Sequence, residues 1–199
     1  MKFFKANSYD IVKLYINQIG ISIFSLFLSF AVRAVDVEDG KRMLLSVLLS
    51  ALSLLFYSFL LYTAAWDMGA KDKIRIDGGR LTYDRSKGAK LSLFANVPNF
   101  VLAGLCILLI SVDMLLPWTG WRTVYSIFIF PLIFTTVMYN GILQGILSGL
   151  RDTSAVYLLC QSVGFFLAPL FAVLVTQLGY YMGVKDRRIM QAFKPRPKE

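Results

Sequence analysis

The chain has no histidine. That absence removes His-based acid–base catalysis, His metal ligation and a Ser-His nucleophile in one step. Charge is scarce as well: Asp, Glu, Lys and Arg make up 17% of the residues, against about 25% in an ordinary soluble domain. The two cysteines, Cys106 and Cys160, stand inside apolar stretches with no spacing that suggests a disulfide framework or a zinc site, so they read as small hydrophobes. No phosphate-binding glycine loop, dinucleotide fingerprint or paired carboxylate is visible. The acidic residues read as loop and tail residues, which leaves no ionisable group at membrane depth. Such groups are the usual mark of an ion-coupled carrier or an intramembrane hydrolase. Neither a cofactor nor a metal is expected.

Hydrophobic residues, by contrast, make up 57% of the sequence. They are gathered into uncharged runs at 14–32, 43–66, 91–112, 123–150 and 153–184, and runs of about 18 residues or more read as transmembrane candidates. Five such helices in water would leave almost no chain to cover them. The expectation is one polytopic, all-α integral membrane domain over residues 1–199. Lys2 and Lys5 before an apolar stretch resemble the start of a signal peptide. However, Asn7, Asp10, Asn17 and Gln18 make that start polar and no small-x-small cleavage site follows, so it reads as a retained first helix.

The net charge of +9 raises nucleic-acid binding as a possibility. The placement of the charge argues against it, because nearly all basic residues lie just outside the apolar runs, where they meet anionic lipid headgroups and fix orientation. Residues 67–90 form the strongest basic segment, with Lys71, Lys73, Arg75, Arg80, Arg85, Lys87 and Lys90 as candidate contacts for headgroups or a protein partner. Placing this segment in the cytoplasm takes Lys2, Lys5 and Lys13 with it and sends Arg33, Lys41 and Arg42 outside. With five crossings the basic tail, residues 185–199, would lie outside and the two sides would carry nearly equal positive charge. With four crossings both ends are cytoplasmic and most of the charge is inside, as the positive-inside rule prefers.

The segment that then enters and returns is 123–150. Pro131 breaks its middle, and Asn140, Gly141, Gln144, Gly145 and Gly149 weaken its second half. The expected architecture is therefore a bundle of four transmembrane helices plus one Pro-broken, membrane-embedded segment, re-entrant or spanning as a fifth. A bacterial inner membrane is the expected location.

Residues 73–83 alternate apolar and polar residues around Asp77-Gly78-Gly79, which predicts a small β-hairpin in the cytoplasmic loop. Pro98, with Asn96 and Asn99 beside it, predicts an irregular entry to the third helix. Small residues four apart mark close helix contacts in lipid. Gly141, Gly145 and Gly149 form one such row and Gly164, Ala168 and Ala172 another, which suggests an antiparallel pair or a homo-oligomer contact. Ser22, Ser25 and Ser29 form a polar stripe on the first helix, and Ser46, Ser50 and Ser53 another on the second. Tyr62, Trp66, Trp118, Trp121, Tyr180 and Tyr181 fall where interfacial belts belong.

Three functional readings follow. The first is a non-enzymatic subunit, accessory factor or homo-oligomer, partnered with anionic lipid or another membrane protein and not with nucleic acid. The second is a transport component, such as a small substrate-binding subunit driven by separate ATPase partners. It requires Asn17, Gln18, Asn140, Gln144 and Gln161 to converge on a polar cavity. The third, an enzyme acting on lipid headgroups, requires Asp67, Asp72 and Asp77 to converge.

Overall fold

The computed structural model describes residues 2–116, 119–150 and 154–186, which form helices joined by short connections, with no strand among them. Five helices follow one another: α1 (Lys2–Ala34), α2 (Asp39–Asp77), α3 (Lys87–Leu115), α4 (Thr119–Ile146) and α5 (Ala155–Val184). All five are long and apolar enough to cross a membrane. Large apolar side chains such as Phe27, Leu55, Phe130 and Leu174 point outward, while Ser22, Asn99, Thr136 and Thr176 are wholly buried. A helix bundle in lipid gains little from burying hydrocarbon, so its interior is held by close approach and hydrogen bonds instead.

The bundle has two unlike ends. At the first, here termed the base, Lys13 of α1 approaches Asp67 of α2, Lys87 of α3 binds Asp72 of α2, and Gln177 of α5 binds the start of α3. At the other, the rim, Asp113 near the end of α3 binds Arg122 near the start of α4.

Helix α4 does not run from rim to base. Thr136 has non-helical backbone angles (φ −124°, ψ 18°), and the helix folds back there. Tyr125, before the break, has its hydroxyl 3.3 Å from Ser162 Oγ, and Leu143, after the break, packs on Gly164. Both limbs thus meet the same part of α5, whereas a straight helix would hold Tyr125 and Leu143 about 27 Å apart. The second limb climbs along the first turns of α2, with Gly141 N donating to Ser50 Oγ at 3.0 Å and Gly145 against Val47. Neither limb alone reaches the roughly 30 Å of a hydrocarbon core. The break lies five residues beyond Pro131, at the Thr135–Thr136 pair.

Three expectations are corrected. The stretch 73–83 is not a hairpin, because α2 continues to Asp77 and Gly78-Gly79 terminate it. Gly79 adopts a left-handed conformation (φ 69°), with Arg80 N donating to Arg75 O and Gly79 N to Ile76 O, both at 2.9 Å. This bond pair is a Schellman cap, for which glycine is the favoured residue. The alternation of Ile74 and Ile76 had suggested a strand, but the packing of the same helix at Met68, Gly69 and Asp72 carries the helix on. Helix α3 runs continuously through Pro98.

The two small-residue rows also do not face one another. Gly141 and Gly145 face α2, Gly149 has nothing close to it, Gly164 meets Leu143 of α4, and Ala168 and Ala172 pack into the central apolar cluster. The closest backbone approach lies at the base. A Cβ on Gly183 would strike the Trp66 carbonyl, and one on Gly69 the Tyr180 carbonyl. One on Gly88 or Gly179 would press on Tyr180 or Tyr62.

Substituting Gly79→Ala should lower stability by about 1 kcal/mol, since alanine is strained where φ is positive. Gly20→Ala, in the middle of α1 with open space around it, should raise stability by roughly 0.5–1 kcal/mol. Thermal unfolding in detergent micelles would read both, and equal shifts of one sign would refute the cap assignment.

Candidate functional site: a polar cavity above a broken helix

A helix broken at Thr136 frees backbone groups that no water can reach, and those groups need side-chain partners. Gln18 Nε2 and Ser22 Oγ of α1 both donate to the Thr135 carbonyl oxygen, at 3.2 and 2.6 Å. The Thr135 hydroxyl lies 2.9 Å from Asn99 Oδ1 of α3, and Asn99 Nδ2 donates in turn to Asn96 Oδ1. The Thr136 hydroxyl donates to Leu132 O at 2.5 Å. Two helices, α1 and α3, therefore close on one point of α4, and all of these side chains are buried.

A cavity of about 400 Å³ lies on the rim side of this junction, between α1, α2 and the returning limb of α4. The serine stripes of the first two helices line it with Ser25, Ser29, Ser46, Ser50 and Ser53, and α4 adds Asn140 and Gln144. Arg33, Asp39 and Arg42 stand at its mouth, where α1 ends and α2 begins. Ser53 is 1% exposed and Ser25 4%, yet neither hydroxyl has a hydrogen-bond partner among the described residues. Asn140 Oδ1 and Arg42 Nε are likewise buried and unpartnered. Buried polar atoms are nearly always satisfied. Four of the six such atoms among the described residues surround this hollow, where water or another polar occupant would satisfy them.

Of the residues expected to converge, Asn140 and Gln144 line the cavity and Gln18 lies beneath it at the junction. Asn17, adjacent to Gln18 and hence about 100° away around α1, does not reach it. Gln161 is buried on α5, away from the cavity, so the five-residue convergence that the transport reading required is not found, and only two of the five line the hollow.

A second polar cluster occupies the base. Asp72, 3% exposed, accepts from Lys87 Nζ at 2.6 Å and from the Tyr180 hydroxyl at 3.0 Å, with Arg75 at 3.7 Å. Its carboxylate and that of Asp113 were read as loop groups, but both are buried on helices. Tyr180, expected in an interfacial belt, is turned inward to Asp72. The extension of α2 past the apolar run, which hides Asp72, was the unreadable step. The glycine spacing Gly179–Gly183 was a signal that sequence reasoning missed.

Most of the candidate basic contacts are internally paired: Lys71 with Asp67 (2.7 Å), Lys73 with Asp186 (3.6 Å), Lys90 with Asp84 (2.8 Å), and Arg75 and Lys87 with Asp72. Arg80 and Arg85 make no ion pair among the described residues and are exposed on the α2–α3 connection. Asp67, Asp72 and Asp77 do not converge, because steps of five residues on a helix point them to different faces. No group of three potential metal ligands occurs among the described residues. Arg151 and the tail beyond Asp186 lie outside the described residues.

No family model matches the chain, and no curated protein or solved structure does. The geometry alone carries the functional reading.

Breaking a buried ion pair leaves an uncompensated charge and costs about 3–5 kcal/mol. Lys87→Met should therefore destabilise strongly, while the double variant Asp72→Asn, Lys87→Met recovers much of the loss. An additive double variant in thermal unfolding would show that the pair is not coupled.

Outside the helices, the Lys90 ammonium and then the Ser86 hydroxyl and amide hold the Asp84 carboxyl below the usual carboxylate range, against some desolvation. A lowered folded-state pKa gives stabilisation that is complete above the ordinary carboxylate pKa and lost as pH falls through the lowered value. Asp84→Asn should flatten that acid limb of the stability profile. An unchanged limb would place the acid sensitivity elsewhere.

Proposed function

We propose that this chain is a multi-pass membrane subunit that holds a small polar solute in the rim cavity, as the solute-binding component of a transport system. The carrying observation is the cavity itself, in which two serine stripes and two amides from three helices meet, with the Ser25 and Ser53 hydroxyls and Asn140 Oδ1 buried and unpartnered among the described residues. Its volume falls in the range of small-molecule sites, about 300–1,000 Å³. Four crossings with α4 re-entrant from the rim side accord with the folded-back limbs of that helix. They also accord with the positive-inside preference, which sets the base in the cytoplasm. The cavity then opens outward.

A reading in which the chain works only through its basic loop is less well supported, since most of that loop's cations are already engaged by the chain's own carboxylates. Arg80 and Arg85 remain for a cytoplasmic partner that would supply energy. The lipid-headgroup enzyme has lost the convergent aspartates on which it depended.

Topology is tested by single cysteines at Arg80, Leu150 and Asp186 in a Cys106→Ala, Cys160→Ala background. Labelling of positions 80 and 186 from the cytoplasm and of 150 from outside is the expected pattern. Cytoplasmic labelling at 150 with external labelling at 186 would mean five crossings. Solute binding is tested by native mass spectrometry of the protein released from detergent. The wild type should retain a small molecule that Ser53→Leu, which fills the cavity, does not. Identical spectra from two equally folded proteins would overturn the reading.

A further inference from the structure

The open hydrogen-bonding groups of the cavity gather at its floor. Phe24 of α1 and Phe56 of α2 are in ring contact, with centroids 6.2 Å apart, and this sets Ser25 and Ser53 at about the same depth, within a turn of each other. Asn140 joins them from the returning limb of α4, whose next residue is bonded to Ser50, one turn from Ser53 toward the rim. At that higher level the polar groups are engaged, since Ser29 Oγ donates to Ser25 O at 2.9 Å and Ser50 Oγ accepts from Gly141 N. At the floor they are not. Ser25 Oγ, Ser53 Oγ and Asn140 Oδ1, one from each of three helices, are buried and unpartnered among the described residues.

Charge is remote from this floor. Arg33 follows Ser25 by eight residues on α1, and Arg42 precedes Ser53 by eleven on α2, which places the arginines about 12 and 16 Å higher along their helices. At the opening Arg42 is bound to Asp39 and Lys41 to Glu38, and Arg33 is matched in number by Asp36. The opening therefore has no net sign with which to select an ion. A charged group carried down to the floor loses hydration and meets no counter-charge.

Resting on the solute-binding reading above, we infer that the ligand is a small uncharged polyol, from glycerol to hexose size, seated on Ser25, Ser53 and Asn140 below the level of the arginines. A serine hydroxyl both donates and accepts, whereas an amide oxygen only accepts, so the occupant needs at least one donor. Several hydroxyls on one body serve all three groups together. Leu28 and Leu49 supply apolar wall beside them for the C–H face of the same molecule. Water or a flat amide such as urea satisfies the polar atoms but leaves that wall without a hydrocarbon partner, and small-molecule sites combine apolar wall with a few placed polar groups.

The test is equilibrium dialysis of labelled probes against the full-length protein, in a glycerol-free buffer and a detergent without a sugar headgroup. Glycerol and D-glucose are the neutral polyols; glycerate, D-glucuronate and D-glucosamine are their charged counterparts, and urea is the amide control. At least one polyol should bind, with its charged counterparts and urea at least roughly tenfold weaker. Ser53→Ala should weaken polyol binding by about fivefold, as expected for one neutral hydrogen bond, and Ser53→Leu should abolish it. Arg33→Gln and added salt should leave it unchanged.

If a charged probe or urea binds as tightly as the polyols, and Ser53→Leu removes that binding, the cavity is a solute site but the polyol assignment is wrong. If Arg33→Gln or salt weakens polyol binding as much as Ser53→Ala does, the seat is not the floor and the assignment is overturned. If no probe binds while native mass spectra of the wild type still show a molecule that Ser53→Leu loses, the polyol class alone falls. If no probe binds and no such molecule is seen, or if binding survives Ser53→Leu, the solute site falls with it.

Discussion

The carbonyl oxygen of Thr135 is the point on which the arrangement turns. A helix interrupted among other helices must find outside partners for the groups it releases, because an unmade buried hydrogen bond costs about 1–3 kcal/mol. Gln18 and Ser22 meet the carbonyl from α1, and Asn99 meets the hydroxyl of the same residue from α3. Those bonds let α4 turn back instead of continuing to the base. The turned-back limb forms the third wall of the cavity, so the hollow exists because the break is stabilised.

The two ends of the bundle solve opposite problems. At the base, glycines on α2, α3 and α5 bring backbones into contact, and the one deeply buried carboxylate there has an ammonium and a hydroxyl on it. The Tyr62 hydroxyl is the buried polar atom left unpartnered on that side among the described residues. On the rim side Gly141 still brings α4 close to α2, but serines face the hollow between α1 and α2, and four buried polar atoms lack partners among the described residues. A well-packed base with a hollow at the rim side is compatible with the proposed solute-binding reading.

Much of this was legible in the sequence. Charge-free runs announced the five helices, and charge asymmetry together with weak, glycine-bearing apolarity singled out 123–150 as the odd segment. Ser22, Ser25, Ser29, Ser46, Ser50 and Ser53 were visible as stripes, but a stripe does not say whether it faces another helix or a hollow. That depends on the direction of the second limb of α4. The position of the break was misread because proline is the loudest helix breaker, whereas here the angle is absorbed at Thr136, where partners wait. Asp72 was hidden for a different reason. The end of an apolar run is not the end of a helix, and the polar last turns of α2 are buried by α5, a contact spanning more than a hundred residues that no local pattern carries.

The order in which the chain is made gives the Asp72 cluster a further meaning. Lys87 follows its carboxylate by fifteen residues, while the Tyr180 hydroxyl follows it by 108. A nascent chain grows at about 5–20 residues per second, so both members of the ion pair are made within seconds of one another, whereas the tyrosine that completes the cluster is added only with the last helix. The carboxylate's charge is thus met by a residue close in the chain, and its second hydrogen bond comes from the far end of it.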